Sequence, residues 1–198
     1  MDFKTKNFID GLKIDFIPWG RMVTAYGTAL HYPEYLEILE SMSDIKRTEY
    51  ALNSISDFEH QETMFPPAPF ALVFLVRILE KALCTENNEC ADFLAKEIAD
   101  FSEHCLWACN YAETYEHEKP LRNFSDMLSE KYLLDPEYSK REPSEEEADE
   151  IFGDENFLPD DLFYSIYYYS KIVLSQVPDI LEKYDRFPEI REKINKML

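Results

Sequence analysis

Four groups of side chains in this sequence stand close enough together to do chemistry. The first is Glu59-His60-Gln61-Glu62. An imidazole among carboxylates reads as a general acid–base pair or a recognition site. Its structural alternative, which we favour, is a turn between two helices in which His60 and Gln61 hydrogen-bond orphan helix-end carbonyls and amides. The second group is Cys84, Cys90, Cys105 and Cys109. Structural zinc takes close cysteine pairs from loops or knuckles, and only Cys105 and Cys109 are closely spaced, inside an apolar stripe; buried thiols fit better. The third is Glu103-His104, Glu113, Glu116 and His117-Glu118, carboxylates and imidazoles on successive helical turns. A di-metal bundle needs a repeated Glu-x-x-His, which is missing, so a solvated helix face is the simpler account. The fourth is aromatic: Phe163, Tyr164, Tyr167, Tyr168 and Tyr169. Tyrosines can stack bases, but in a basic groove. Here they suit core packing, with an exposed subset, Tyr164 and Tyr168, as partner anchors. There is no HExxH, no GxSxG and no glycine-built phosphate loop.

Charge narrows the partners. Forty acids against twenty bases leave a formal charge of −20 on 198 residues. Such a field repels nucleic-acid phosphates and anionic lipid and draws basic partners. Half of that charge falls in residues 142–161, which hold ten acids and no base. Density of that kind resists compaction, so this stretch, Glu145, Glu146 and Glu147 included, is expected as a loop or mobile insertion pinned by Ile151, Phe152, Phe157 and Leu158. No apolar run approaches the roughly 20 residues of a membrane span. The opening Met1-Asp2-Phe3-Lys4 lacks a signal-peptide pattern, which predicts a cytoplasmic protein with reduced thiols and no bound cofactor.

The elements that must position these groups are helical. Only four glycines, against fourteen Phe and thirteen Tyr, speak against a turn-rich β-protein. The most apolar stretch, Pro69 to Leu83, is apolar almost all round until Arg77, which predicts a central helix over 69–83 with neighbours on several sides. Residues 1–18 read as an irregular or partly helical lead-in. Trp19, Met22, Val23, Tyr26 and Ala29 have helix-like spacing, interrupted by Gly27. Pro33 opens a helix through Met42. Ser43 or Asp44 caps the next, whose stripe is Ile45, Thr48, Ala51, Leu52, Ile55 and Phe58. A long helix runs from Cys90 towards Tyr115, another over about 121–134, an aromatic one over 160–176, and Pro178 and Pro188 open two short closing helices.

Two segments echo each other. Pro33-Glu34-Tyr35-Leu36-Glu37-Ile38-Leu39 precedes Asp44-Ile45-Lys46-Arg47, and Pro178-Asp179-Ile180-Leu181 precedes Asp185 and Arg191. Each reads as a proline-started helix, an Asp-bearing turn, and a helix with an early Arg. Neither pair can bury its apolar face alone, so such units stack. The pattern resembles the HEAT-type helical repeat. Over about residues 19–80, Trp19, Tyr26-Gly27, Pro33, Leu36, Arg47, Ala51-Leu52, His60-Gln61 and Pro69-Phe70 resemble small bacterial HEAT-like proteins, several of them regarded as candidate immunity proteins of toxin systems. The chain departs from that pattern at Glu62, where the family has glycine, and at Pro66-Pro67-Ala68-Pro69.

The expectation is thus a single all-α domain over 1–198, antiparallel helix pairs stacked as a short HEAT-like superhelical array. Its expected function is non-enzymatic: an immunity-type module that sequesters a basic toxin or other cationic protein. The candidate partner-binding residues are Trp19, Tyr26, His60, Gln61, Glu62, Glu145, Glu146, Glu147, Tyr164 and Tyr168, with no catalytic or metal-binding residue. One alternative is a helical metal-dependent hydrolase using His60 or the Glu103–His117 region. Another is a HEAT-like alkylpurine glycosylase, which needs a basic concave face.

Overall fold

The computed structural model describes residues 1–153 and 158–198, and among them the fold is all-α. The helices are α1 (Phe3–Gly11), α2 (Tyr32–Ser41), α3 (Ile45–Ile55), α4 (Ala68–Cys84), α5 (Glu89–Ala112), α6 (Glu145–Gly153), α7 (Asp160–Leu174), α8 (Val177–Lys183) and α9 (Pro188–Met197). Strand structure is confined to two antiparallel hairpins of two-residue strands, β1 (Val23–Thr24) with β2 (Gly27–Thr28), and β3 (Glu59–His60) with β4 (Thr63–Met64). None of the described helices is long and apolar enough to cross a membrane.

Helix α4 is the centre. Phe70 through Val76 are buried without interruption, and the exposed positions Arg77, Lys81 and Cys84 fall on one narrow stripe. A helix apolar on nearly every side must be enclosed. It is: α5, α7 and α2 all pack on it, and α5 and α7 also pack on each other. Helix α3 lies along α2 and α5, α9 along α5, and α8 along α9. Ring contacts knit the centre, Phe70 lying on Phe124 at 5.0 Å and Phe124 on Tyr169 at 4.7 Å. Where α4 does surface, Arg77 turns back to hydrogen-bond the carbonyls that end α1, Nη1 to Leu12 O at 2.8 Å and Nη2 to Ile9 O at 2.6 Å. A cation on orphan carbonyls satisfies groups the helix leaves open.

Four expectations change. Residues 19–30 are not helical: a short 3₁₀ turn, Trp19–Arg21, leads into the β1–β2 hairpin. Asp57, distant in sequence, accepts the Thr24 hydroxyl at 2.9 Å, and its backbone carbonyl accepts the Ala25 amide at 3.1 Å. These bonds hold the segment open. Over 121–134 the chain makes 3₁₀ turns, Phe124–Leu128 and Glu130–Tyr132, started by an Asn123–Asp126 capping box. The Glu59–Glu62 turn is a β-hairpin rather than a helix-to-helix cap, with Gln61 and Glu62 both in the left-handed region, φ 50° and 70°. Positive φ at both central residues is what a two-residue hairpin demands.

The acidic stretch is the fourth. Glu145–Gly153 is a helix, not a loop. Ser144 and Glu147 form a reciprocal cap, Ser144 N to Glu147 Oε2 at 2.7 Å and Glu147 N to Ser144 Oγ at 3.3 Å. Three glutamates in the first turn face the positive end of the helix dipole. Arg141 grips Glu147 through both guanidinium nitrogens at 2.7 and 2.6 Å, holding that carboxyl down to about 2. Leu158 packs on the core and Ile151 lies beside Tyr132 and Leu134, whereas Phe157 lies outside the described residues.

Two substitutions on α4 separate enclosure from anchoring. Leu75→Ala, at a fully buried position, is expected to cost about 3–4 kcal/mol in denaturant unfolding. Arg77→Met keeps the apolar stem and removes the donors, and is expected to cost about 1–2 kcal/mol and to raise amide exchange in α1 selectively. Equal losses from both changes, or unaltered exchange in α1, would contradict this division of labour.

Candidate acidic and aromatic interaction face

The two hairpins meet through side chains. Tyr26, at the turn between β1 and β2, is 73% exposed, and its hydroxyl lies 3.0 Å from His60 Nδ1 with the rings edge to face at 5.1 Å. Glu59 turns the other way: Oε1 accepts the Glu62 amide at 2.8 Å, and Oε2 meets His104 Nε2 on α5 at 2.8 Å. From beneath, the Tyr167 hydroxyl of α7 accepts the Met64 amide at 3.1 Å. Burial lifts that phenol to about 12, so it stays a neutral pin. Thus β3–β4 is tied to β1–β2, α5 and α7 at once.

Beyond His104, α5 presents an aromatic ladder. Trp107 and Tyr111 stack at 5.5 Å with their planes 4° apart, and Tyr115 stands edge-on to Tyr111 at 5.2 Å. All three are exposed, at 46, 41 and 56%. Tyr115 sits close enough to Glu62 for that carboxylate to help raise its phenol, after the larger effect of the Tyr111 hydroxyl hydrogen bond. His104, which holds Glu59, also lines a shallow pocket with Trp107, so the ladder and the hairpin adjoin.

A cleft of about 530 Å³ opens on the other side of Tyr26. Its floor is Asp57, whose carboxylate accepts the hydroxyls of Tyr32 and Thr24. Its lip is Glu142, which accepts the Thr28 amide at 3.1 Å and the Thr28 hydroxyl at 2.8 Å. Gly27 makes that reach possible: with φ +156°, any Cβ there would stand 3.3 Å from Glu142 Oε2. Tyr35, His31, Glu145 and Ala148 complete the walls.

The expected site residues divide. Tyr26, His60, Gln61 and Glu62 come together at the hairpins, and Glu145 joins Tyr26 along the cleft. Trp19 belongs to the core, 3% exposed between Tyr32 and Phe74, with its indole N–H on the Ile14 carbonyl. Glu146 is exposed, and Glu147 is occupied by Arg141. Tyr164 is buried under His117, ring on ring at 3.4 Å, and Tyr168 is half-exposed beside it. Neither touches the hairpins. Trp107, Tyr111 and Tyr115 were missed, although their spacing of four and four, opposite the Cys105 and Cys109 stripe, announces an exposed ladder.

The groups proposed for chemistry are dispersed. His60 meets Tyr26, His104 meets Glu59, and His117 stacks on Tyr164. Among the described residues, no three His, Cys, Asp or Glu side chains converge as metal ligands would. Cys90, Cys105 and Cys109 are buried free thiols, and burial lifts Cys109 to about 12. Such thiols are protonated and poor nucleophiles.

Asp57 gives the cleft a pH signature. Desolvation raises its carboxyl above the ordinary value, the charge of Glu142 adds to this, and the Tyr32 and Thr24 hydrogen bonds only partly offset it. A raised carboxyl contributes stability that is present below its unfolded pKa of 3.8 and lost as pH rises through the folded value. Asp57→Asn is therefore expected to raise Tm at neutral pH by about 2 °C and to give no gain near pH 3. Thermal melts at the two pH values check it; a variant less stable at pH 7 overturns the reasoning.

No protein-family model, no curated protein and no solved structure matches this chain.

Proposed function

We propose that this protein is a non-enzymatic binding module of the immunity type, which sequesters a basic protein, such as a toxin domain, on the face built by Tyr26, the β3–β4 hairpin and the α5 ladder. The observation that carries this reading is the exposed Trp107–Tyr111–Tyr115 ladder on a chain of charge −20. Tryptophan and tyrosine dominate interface energetics because they bury large area at little entropic cost. Carboxylates around them steer a cationic partner into place and fix its register. Exposed indole and phenol faces also attract Lys and Arg directly. The pairings of α2 with α3, α4 with α5 and α8 with α9 support reading the scaffold as a HEAT-like array, which presents such faces without a catalytic centre. Four unpaired cysteines suit the reducing cytoplasm.

The test is a binding assay against the partner recovered from cells and identified. Affinity should fall steeply between about 50 and 500 mM salt, and the partner's docking surface should be basic. Trp107→Ala with Tyr111→Ala should weaken binding by about thirtyfold, mainly through faster release, with the fold intact by circular dichroism. An acidic or neutral partner held independently of salt, or a double variant that binds like the parent, would sink the reading.

A further inference from the structure

The cleft beside Tyr26 is lined by the carboxylates of Asp57 and Glu142. Some carboxylates are neutralised by nearby bases, as Glu130 is by Arg21, Asp161 by Lys131, Glu113 by Lys171 and Glu147 by Arg141. Asp57 and Glu142 are not. Each is held by neutral donors alone, hydroxyls on Asp57 and a hydroxyl with a backbone amide on Glu142. Both line the same cleft, and among the described residues no Lys or Arg lines it. Holding a partly desolvated carboxylate, Asp57, in one cleft with a second acid and no counter-charge is unfavourable for folding alone. The hydroxyls fix their orientation before anything arrives, which lowers the ordering cost of binding.

The walls specify the cation. No third ligand of the kind a metal needs converges here. Tyr26 and Tyr35 instead offer aromatic surface in the same cleft as the acids, with His31 against Tyr35 at a ring distance of 6.5 Å. Two fixed carboxylates beside phenol rings match a planar fork of donors that stacks on aromatic faces, which is arginine rather than lysine. A volume of about 530 Å³ admits such a side chain with the backbone that carries it.

We infer that this cleft is a receptor for a guanidinium group, the side chain of an arginine presented by the basic protein partner, gripped between Asp57 and Glu142 and flanked by Tyr26 and Tyr35. The inference rests on the reading of the chain as a binder of a basic protein and names the group that protein inserts. Because Tyr26 also contacts His60, the inserted arginine anchors one end of the same face whose other end is the α5 ladder.

The probe is Nα-acetyl-arginine amide, titrated onto the full chain by NMR at low salt, with the citrulline and lysine amides alongside. Citrulline keeps the shape and loses the charge. Saturable shifts confined to the amides of Thr24, Gly27, Thr28 and Asp57 are expected for arginine, with lysine and citrulline about tenfold weaker or more. Glu142→Gln, at an exposed position that leaves the core untouched, should weaken arginine by about tenfold, and Asp57→Asn should do the same. Equal binding of arginine and citrulline, equal binding of arginine and lysine, or unsaturable shifts spread over the acidic surface would each overturn the proposal. If the chain binds a basic partner salt-dependently while arginine amide ignores the cleft, this inference fails and the broader reading stands. If arginine amide saturates the cleft but the ladder variants bind their partner unchanged, the broader reading fails and the cleft stands.

Discussion

A helix with no polar side has to be surrounded, and the enclosure of α4 decides where every other element lies. Its run from Phe70 to Val76 leaves no face for water, so α2, α5 and α7 are all recruited to it. Burying that many large side chains is the dominant favourable term in the fold. The geometry has a cost at the margins. Once α5 has given one side to α4 and α7 and another to α3 and α9, its remaining stripe is left largely exposed among the described residues. Trp107 and Tyr111 occupy that stripe, and Tyr115 follows just past the helix end. Aromatic residues left uncovered by the packing of everything else are conspicuous, because the same chain buries Tyr32 and Tyr169 completely or nearly so.

The hairpins follow from the same constraint. The connections into α2 and α4 must turn sharply at one end of the enclosed helices, and each does so with a two-residue strand pair. Asp57 joins the first hairpin to the end of α3, and Glu59, two residues on, joins the second to α5. Asp57 sits in the 3₁₀ turn Ser56–Phe58, and Glu59 begins β3 directly after it. One segment therefore supplies the floor of the cleft and the edge of the aromatic face, and Phe58 between them is wholly buried and fixes both.

What the sequence disclosed depended on whether the deciding partners were local. Helix α3 is written in the spacing of Thr48, Ala51, Leu52 and Ile55, and Asp44 caps it by accepting the Arg47 amide at 2.8 Å. The limits of α4 and α5 likewise follow from Pro69, and from Asn88 with the polar break before it. Trp19 to Ala29 misleads because its apolar spacing mimics a helix, while the bonds that open it come from Asp57 and Glu142, 33 and 114 residues away. No local pattern contains that information. The acidic helix is a different failure. Ser144-Glu145-Glu146-Glu147 is a legible capping box, but counting charges hid it; acids clustered at a helix start are stabilised by the very dipole that penalises them elsewhere. Glu62 is instructive too. Its φ of 70° is a backbone shape that glycine adopts freely, here taken by a glutamate whose amide is held by Glu59.

The distribution of charge, rather than its total, bears most directly on function. Among the described residues, twelve of the twenty Lys and Arg residues pair with carboxylates on the chain itself. Exposed pairs of that kind contribute little to stability. Their larger effect is to remove bases from circulation, so that acids left without one define where the negative field emerges. Arg141 shows the economy: it spends its fork on Glu147 and Glu137 and gives Glu142, its immediate neighbour, only a contact to the backbone carbonyl. Glu142, held by Thr28, thereby lines the same cleft as Asp57 with its carboxylate free of Arg141. A fold selected for stability alone would place an amide at one of these positions. Keeping both as acids, one of them partly buried and held at a raised pKa, is intelligible when the missing positive charge arrives from another molecule.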